Sequence, residues 1–138
     1  MPKWGLRAGG LVVIAIGLAH FFLPTFGYDP AIPAAMDAGS GAHFFYLGTY
    51  AIGGFLIAFG IISLYTSKLA DTRTAALFAG LMALMWGWRT ALEIIYPVEL
   101  RLFILDRPTL VLLPTLAALT IVYAGSALGL GLARKRPH

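Results

Sequence analysis

The chain contains no cysteine. That absence excludes disulfides, thiolate metal sites and cysteine nucleophiles, and leaves the redox compartment open. Charge is almost as scarce. Lysine, arginine, aspartate and glutamate together make up 12% of the 138 residues, too few to clothe a soluble domain of this size. The ten bases outnumber the six acids, but they flank apolar segments and build no basic domain, so nucleic acid is not an expected partner. What fills the chain is apolar: 59% hydrophobic residues, with a mean hydropathy of +0.84. This is the composition of an integral membrane protein whose first partner is the lipid bilayer.

The expected architecture is an all-α, four-helix transmembrane bundle formed as a single domain over residues 1–138, with spans at about 8–24, 43–66, 74–96 and 108–133. The first apolar segment, behind Lys3 and Arg7, also has features of a secretory signal peptide. His20 inside it and the lack of a clean small-residue cleavage site after Pro24 favour a retained helix ending at that proline. The connections differ. Residues 25–42 carry prolines and glycines with no lysine or arginine, and residues 67–73 read as a tight basic turn. Residues 97–107, PVELRLFILDR, are half apolar and read as an interfacial segment between helices three and four.

Charge asymmetry predicts the orientation. Lys3, Arg7, Lys68, Arg73, Arg134, Lys135 and Arg136 fall on one side with only Asp71. Arg101 and Arg107 share the other side with Asp29, Asp37, Glu99 and Asp106. By the positive-inside rule both termini are cytoplasmic, and in a bacterium the protein lies in the inner (plasma) membrane. The closing basic run, ending at His138, reads as a stop signal and a contact for anionic lipid.

Against that background the stretch WGWRTALEIIYPVEL is unusual, because it sets Arg89 and Glu93 one turn apart inside a span. Arg89 lies fifteen residues beyond Thr74, which is about 22 Å along a helix and ~8 Å short of the far edge of a ~30 Å hydrocarbon core. The order is wrong for local helix support, since the acid should precede the base. Two readings remain: side chains that snorkel to the headgroups, or a polar site facing the bundle interior. His20 near the outer end of helix one and His43 at the start of helix two fall at neighbouring depths. The site reading makes Glu93, His43 and His20 candidate catalytic groups. Arg89, Tyr46, Tyr50, Trp86, Tyr96 and Asp106 are then candidate ligand contacts. It expects Glu93 to accept from Arg89 while facing helix one or two, and expects a double variant lacking both charges to keep the fold. His20, His43 and Glu93 form a 2-His-1-carboxylate set that would suit iron or zinc, and the two histidines alone could bind haem, although no motif as compact as H-E-x-x-H supports either.

Other features have packing explanations. Gly48, Gly53, Gly54, Gly60, Gly125 and Gly129 let helices approach closely, within one chain or between subunits. Pro114 predicts a kink in helix four. The segments LRAGGLVVIAIGLAHFFLP and FFYLGTYAIGGFLIAFGIISLY, with the basic turn after them, resemble the DoxX-like group of small four-helix membrane proteins over about the first 70 residues. The resemblance implies a four-helix membrane fold and, for some members, quinone or thiol redox chemistry. The missing cysteine separates this chain from a thiol-linked role.

Three functions follow as expectations. The first is a bundle that takes an amphipathic molecule (a quinone, isoprenoid or other lipid-like compound) into the outer His/Arg/Glu region, with or without proton-transfer or redox chemistry. The second is an accessory or assembly subunit, as a homo-oligomer or within a larger membrane complex. The third is a small transporter, disfavoured because helices two and four place no charge at the midplane.

Overall fold

The computed structural model describes residues 2–28, 31–36, 39–99 and 101–134. Asp29, Asp37, Lys135 and Arg136, which enter the charge asymmetry, and the terminal His138 lie outside the described residues. The elements are α1 (Pro2–Phe22), continued by a π-helical turn (Leu23–Gly27), then α2 (Ala31–Ala35), α3 (Gly41–Leu69), α4 (Thr72–Ile95) and α5 (Thr109–Arg134). Four of these helices are long and apolar enough to cross a bilayer, and large side chains such as Leu77, Leu84, Leu110 and Ile121 face outward from them. That is the surface of a multi-pass membrane protein, apolar outside as well as inside.

Helix one does not stop at Pro24. Proline has no N–H to donate, so the backbone widens into a π turn around it, and Tyr28 N closes the turn on Leu23 O at 3.1 Å. α4 starts two residues earlier than the hydropathy pattern predicts, because Asp71 caps it. Its carboxylate accepts from Arg73 N at 2.8 Å, Thr74 N at 3.0 Å and the Thr74 hydroxyl at 2.7 Å. The bonds from Thr74 foremost hold the Asp71 carboxyl below the usual carboxylate range. α5 runs unbroken through Pro114.

The bundle consists of two tightly packed antiparallel pairs. In the first, α1 and α3 approach through glycine. A Cβ on Gly17 would lie 2.9 Å from the carbonyl oxygen of Gly53, and one on Gly53 would lie 3.0 Å from that of Gly17. Gly10 and Gly60 repeat the arrangement one heptad away, at 2.9 and 2.7 Å. Repeats of seven on both helices keep one seam in register along the contact. In the second pair α4 packs along α5; the buried residues Ala75, Ala79, Met82, Trp86 and Glu93 on α4 and Leu116, Leu119, Tyr123, Ser126 and Leu130 on α5 recur at helical spacing, and Tyr123 and Ser126 also meet α1 at Gly9 and Gly5. The pairs are joined chiefly by α1 against α5, while α3 and α4 touch little despite the short turn between them.

Buried polar groups reinforce the α1–α3–α5 junction. Tyr123 OH donates to Ser63 Oγ at 3.0 Å, and Ser63 Oγ donates to Leu6 O at 2.7 Å, so one hydroxyl ties three helices. Near the termini Lys3 Nζ donates to Ala70 O at 3.1 Å and Arg7 Nε to Ser67 Oγ at 3.4 Å.

Candidate functional site

Glu93 is the focus of the loop end of the bundle. It is completely buried and all its hydrogen bonds come from its own half of the molecule. Arg89 Nη2 donates to Oε2 at 2.8 Å, while Val98 N and Thr109 Oγ1 donate to Oε1 at 3.0 and 3.1 Å. The Thr109 hydroxyl also lies 3.0 Å from Val98 O. The carboxylate therefore fastens both ends of the 98–109 segment to α4, turning it into an Ω-like loop. At the far side of that loop Phe103, held at φ 52, donates its N–H to Gly27 O at 2.8 Å, and its ring packs against Gly27. Leu102 and Leu105 close the tight turn between them.

This geometry corrects the expected direction of Glu93. It accepts from Arg89 as anticipated, but it faces the loop and the start of α5, not helix one or two. Arg89 is different. Its side chain is 40% exposed, and among the described residues its bond to Glu93 is its only hydrogen bond. A guanidinium has five N–H donors, so most remain available. One turn below, the Nε1–H of Trp86 is buried with no partner among the described residues, so a second donor at this level is unsatisfied.

The other expected members of the site are elsewhere. His20 turns Nδ1 back to Ile16 O at 2.8 Å on its own helix. Its Cβ stands 3.1 Å from where a Cβ on Gly53 would be, which fixes its level on α3. His43 is ten residues further along α3, or about 15 Å away at the helical rise, exposed, with its ring 6.0 Å from that of Phe44. The histidines are thus at different levels along α3. Among the described residues no three His, Asp or Glu side chains gather into a group that could hold a metal, so the set of His20, His43 and Glu93 is not assembled. Physically, the Glu93 oxygens are already taken by three donors.

Tyr46 and Tyr50 stack on each other at 6.4 Å between centroids, and Tyr50 meets Phe21 at 5.7 Å. Phe45 continues the row to Tyr46 at 5.4 Å and to Tyr28 at 5.1 Å, and burial pushes the Tyr28 phenol above its ordinary range. This aromatic row belongs to the α1–α3 pair, whereas Arg89, Glu93 and Trp86 belong to the α4–α5 pair. Tyr96 is exposed, and Asp106 pairs with Arg101 at 3.2 Å on the loop surface. The expected cluster is therefore two groups on two helix pairs, and the Arg89 group is the one whose unused donors belong to a charged side chain.

No known protein family, curated protein or solved structure matches this chain. The functional reading rests on the geometry alone.

Proposed function

We propose that this multi-pass protein, lying in the plasma membrane with both termini cytoplasmic, binds the oxygen-bearing head of an amphipathic, lipid-like molecule at Arg89. The class includes quinones, isoprenoid compounds and lipids. The observation that carries the reading is the state of Arg89: anchored by one nitrogen to a fully buried carboxylate, half-exposed, and otherwise without a partner in the described chain. At the depth of a membrane helix, unpaired guanidinium donors favour a carbonyl, phosphate or carboxylate ligand. Glu93 is a positioning residue in this scheme, since its oxygens are occupied by Arg89, Val98 and Thr109. Proton transfer through Glu93 is not part of the proposal.

The test is to purify the wild-type chain and Arg89→Leu side by side and quantify bound lipids and quinones by mass spectrometry. A compound present at near one per chain in the wild type and lost in the variant supports the reading. Equal retention overturns it.

A second reading, the accessory or assembly subunit, is favoured by a different observation. A Cβ added at Gly48, Gly54, Gly80 or Gly125 would meet nothing within 4 Å, so these outward positions serve no contact inside the chain and would admit a neighbouring helix closely. A discrete oligomer or complex that dissociates on Gly125→Leu, with no bound compound, would support it over the first.

A further inference from the structure

At the opposite end of the bundle from Arg89, we propose a binding site for one anionic phospholipid, its phosphate on Lys68 and one acyl chain along the adjoining groove of α3.

A groove of about 370 Å³ is lined by Ile61, Leu64, Tyr65, Lys68 and Leu69. These residues recur at steps of three and four, so they form one outward stripe over the last two turns of the helix. The stripe is graded. Ile61 and Leu64 lie deepest, followed by the amphipathic Tyr65, and then Lys68 in the last turn of the helix. From Ile61 to Lys68 is seven residues, about 10 Å of helix, the order in which a lipid descends from headgroup to tail.

The electrostatics select the sign of the headgroup. Lys3 and Arg7 converge on the same helix end, one on the Ala70 carbonyl and the other on the Ser67 hydroxyl. Arg7 also stacks over Trp4, 5.1 Å from the ring centroid. Both cations complement the negative end of the α3 dipole and satisfy its last turn. Lys68 is then left with no hydrogen bond or ion pair among the described residues, and it stands at the head of the groove. The acid nearest in sequence, Asp71, uses its oxygens to cap α4 and forms no ion pair with Lys68. Lys68, the one cation lining this apolar groove, attracts a phosphate and repels a choline, so a lipid of net negative charge is preferred over a zwitterionic one. The apolar floor of Ile61, Leu64 and Leu69 selects a lipid over a free phosphate ion.

The experiment uses the full chain in detergent, titrated with phosphatidylglycerol or with phosphatidylcholine of the same acyl chains, and counts retained lipid by native mass spectrometry. The wild type should retain the anionic lipid about fivefold better, the factor carried by one basic residue close to an anionic headgroup. Lys68→Gln should abolish the preference and Lys68→Arg should keep it. Since Lys68 is exposed, neither change disturbs the fold. Arg89→Leu should leave the preference intact, which separates this site from the one proposed at Arg89. Equal retention of the two lipids by the wild type overturns the proposal, as does a preference that survives Lys68→Gln. Full competition by glycerol 3-phosphate would show a free-phosphate site, and a dimer that excludes lipid would show a second copy of the chain on the groove. Either result also overturns it.

Discussion

Thr109, the first residue of α5, and Glu93, in the last turn of α4, are joined by a 3.1 Å hydrogen bond from the threonine hydroxyl to Oε1. That bond closes the 98–109 loop and gives the buried carboxylate a purpose independent of any ligand. The ion pair with Arg89 is then half of a larger arrangement, in which Glu93 is fully committed and Arg89 is not.

Substitutions at the pair should therefore be unequal. Glu93→Leu orphans the Val98 N–H and strands Arg89, while the Thr109 hydroxyl keeps Val98 O as an acceptor, and should cost about 3 to 5 kcal/mol, the range for breaking a buried pair. Arg89→Leu should cost less, because Glu93 keeps two donors. The double variant should regain only the part due to the stranded Arg89 and stay less stable than Arg89→Leu, whereas an isolated pair would give full recovery. Thermal unfolding in detergent reads all three, and full recovery by the double variant would refute the loop-closing role.

Glycines of identical sequence context should separate into two classes. Gly53→Ala places a methyl 3.0 Å from Gly17 O and should loosen the α1–α3 pair. Gly54→Ala meets nothing within 4 Å and should be neutral or stabilising by about 0.5 to 1 kcal/mol, the helix advantage of alanine over glycine. Melting temperatures that rank the two variants the other way would contradict the packing described.

The Tyr123–Ser63–Leu6 chain makes an asymmetric prediction. Tyr123→Phe removes one donor and leaves no polar hydrogen unpaired, a loss of about 1 kcal/mol. Ser63→Ala leaves the buried Tyr123 hydroxyl without its acceptor and should cost more, about 1 to 3 kcal/mol. Paired denaturation measurements, with the double variant closing a cycle, check the order.

Asp71 supplies a pH dependence. Its folded pKa is lowered, mainly by bonds from Thr74, so its contribution is present above the ordinary aspartate range and is lost as pH falls through the depressed value. Amide exchange over residues 72–75 should accelerate in that acidic window, and in Asp71→Ala it should be fast throughout and insensitive to the same titration.

Orientation is testable because the chain has no cysteine of its own. Single cysteines at Leu69 and Tyr96, both about three-quarters exposed, should react on opposite sides with an impermeant thiol reagent, Tyr96→Cys from outside. Labelling of Leu69→Cys alone from outside would reverse the proposed topology. Ser67 is a poor probe position, being buried under Arg7.

Four spans were readable in composition and hydropathy, because a bilayer demands long apolar helices whatever their neighbours are. So was the Arg89–Glu93 bond, since residues four apart on a helix meet without help from the rest of the chain. The direction of Glu93, the separation of His20 from His43 and the split of the polar residues between two helix pairs were decided only by tertiary structure. Depth along a span follows from counting residues, but rotation about a helix axis and the partner across it do not. Those depend on which seams pack: glycine on glycine for α1 with α3, and a heptad of larger side chains for α4 with α5. In a chain apolar on every face, periodicity cannot separate the lipid side from the core side. Long-range packing has to make that choice.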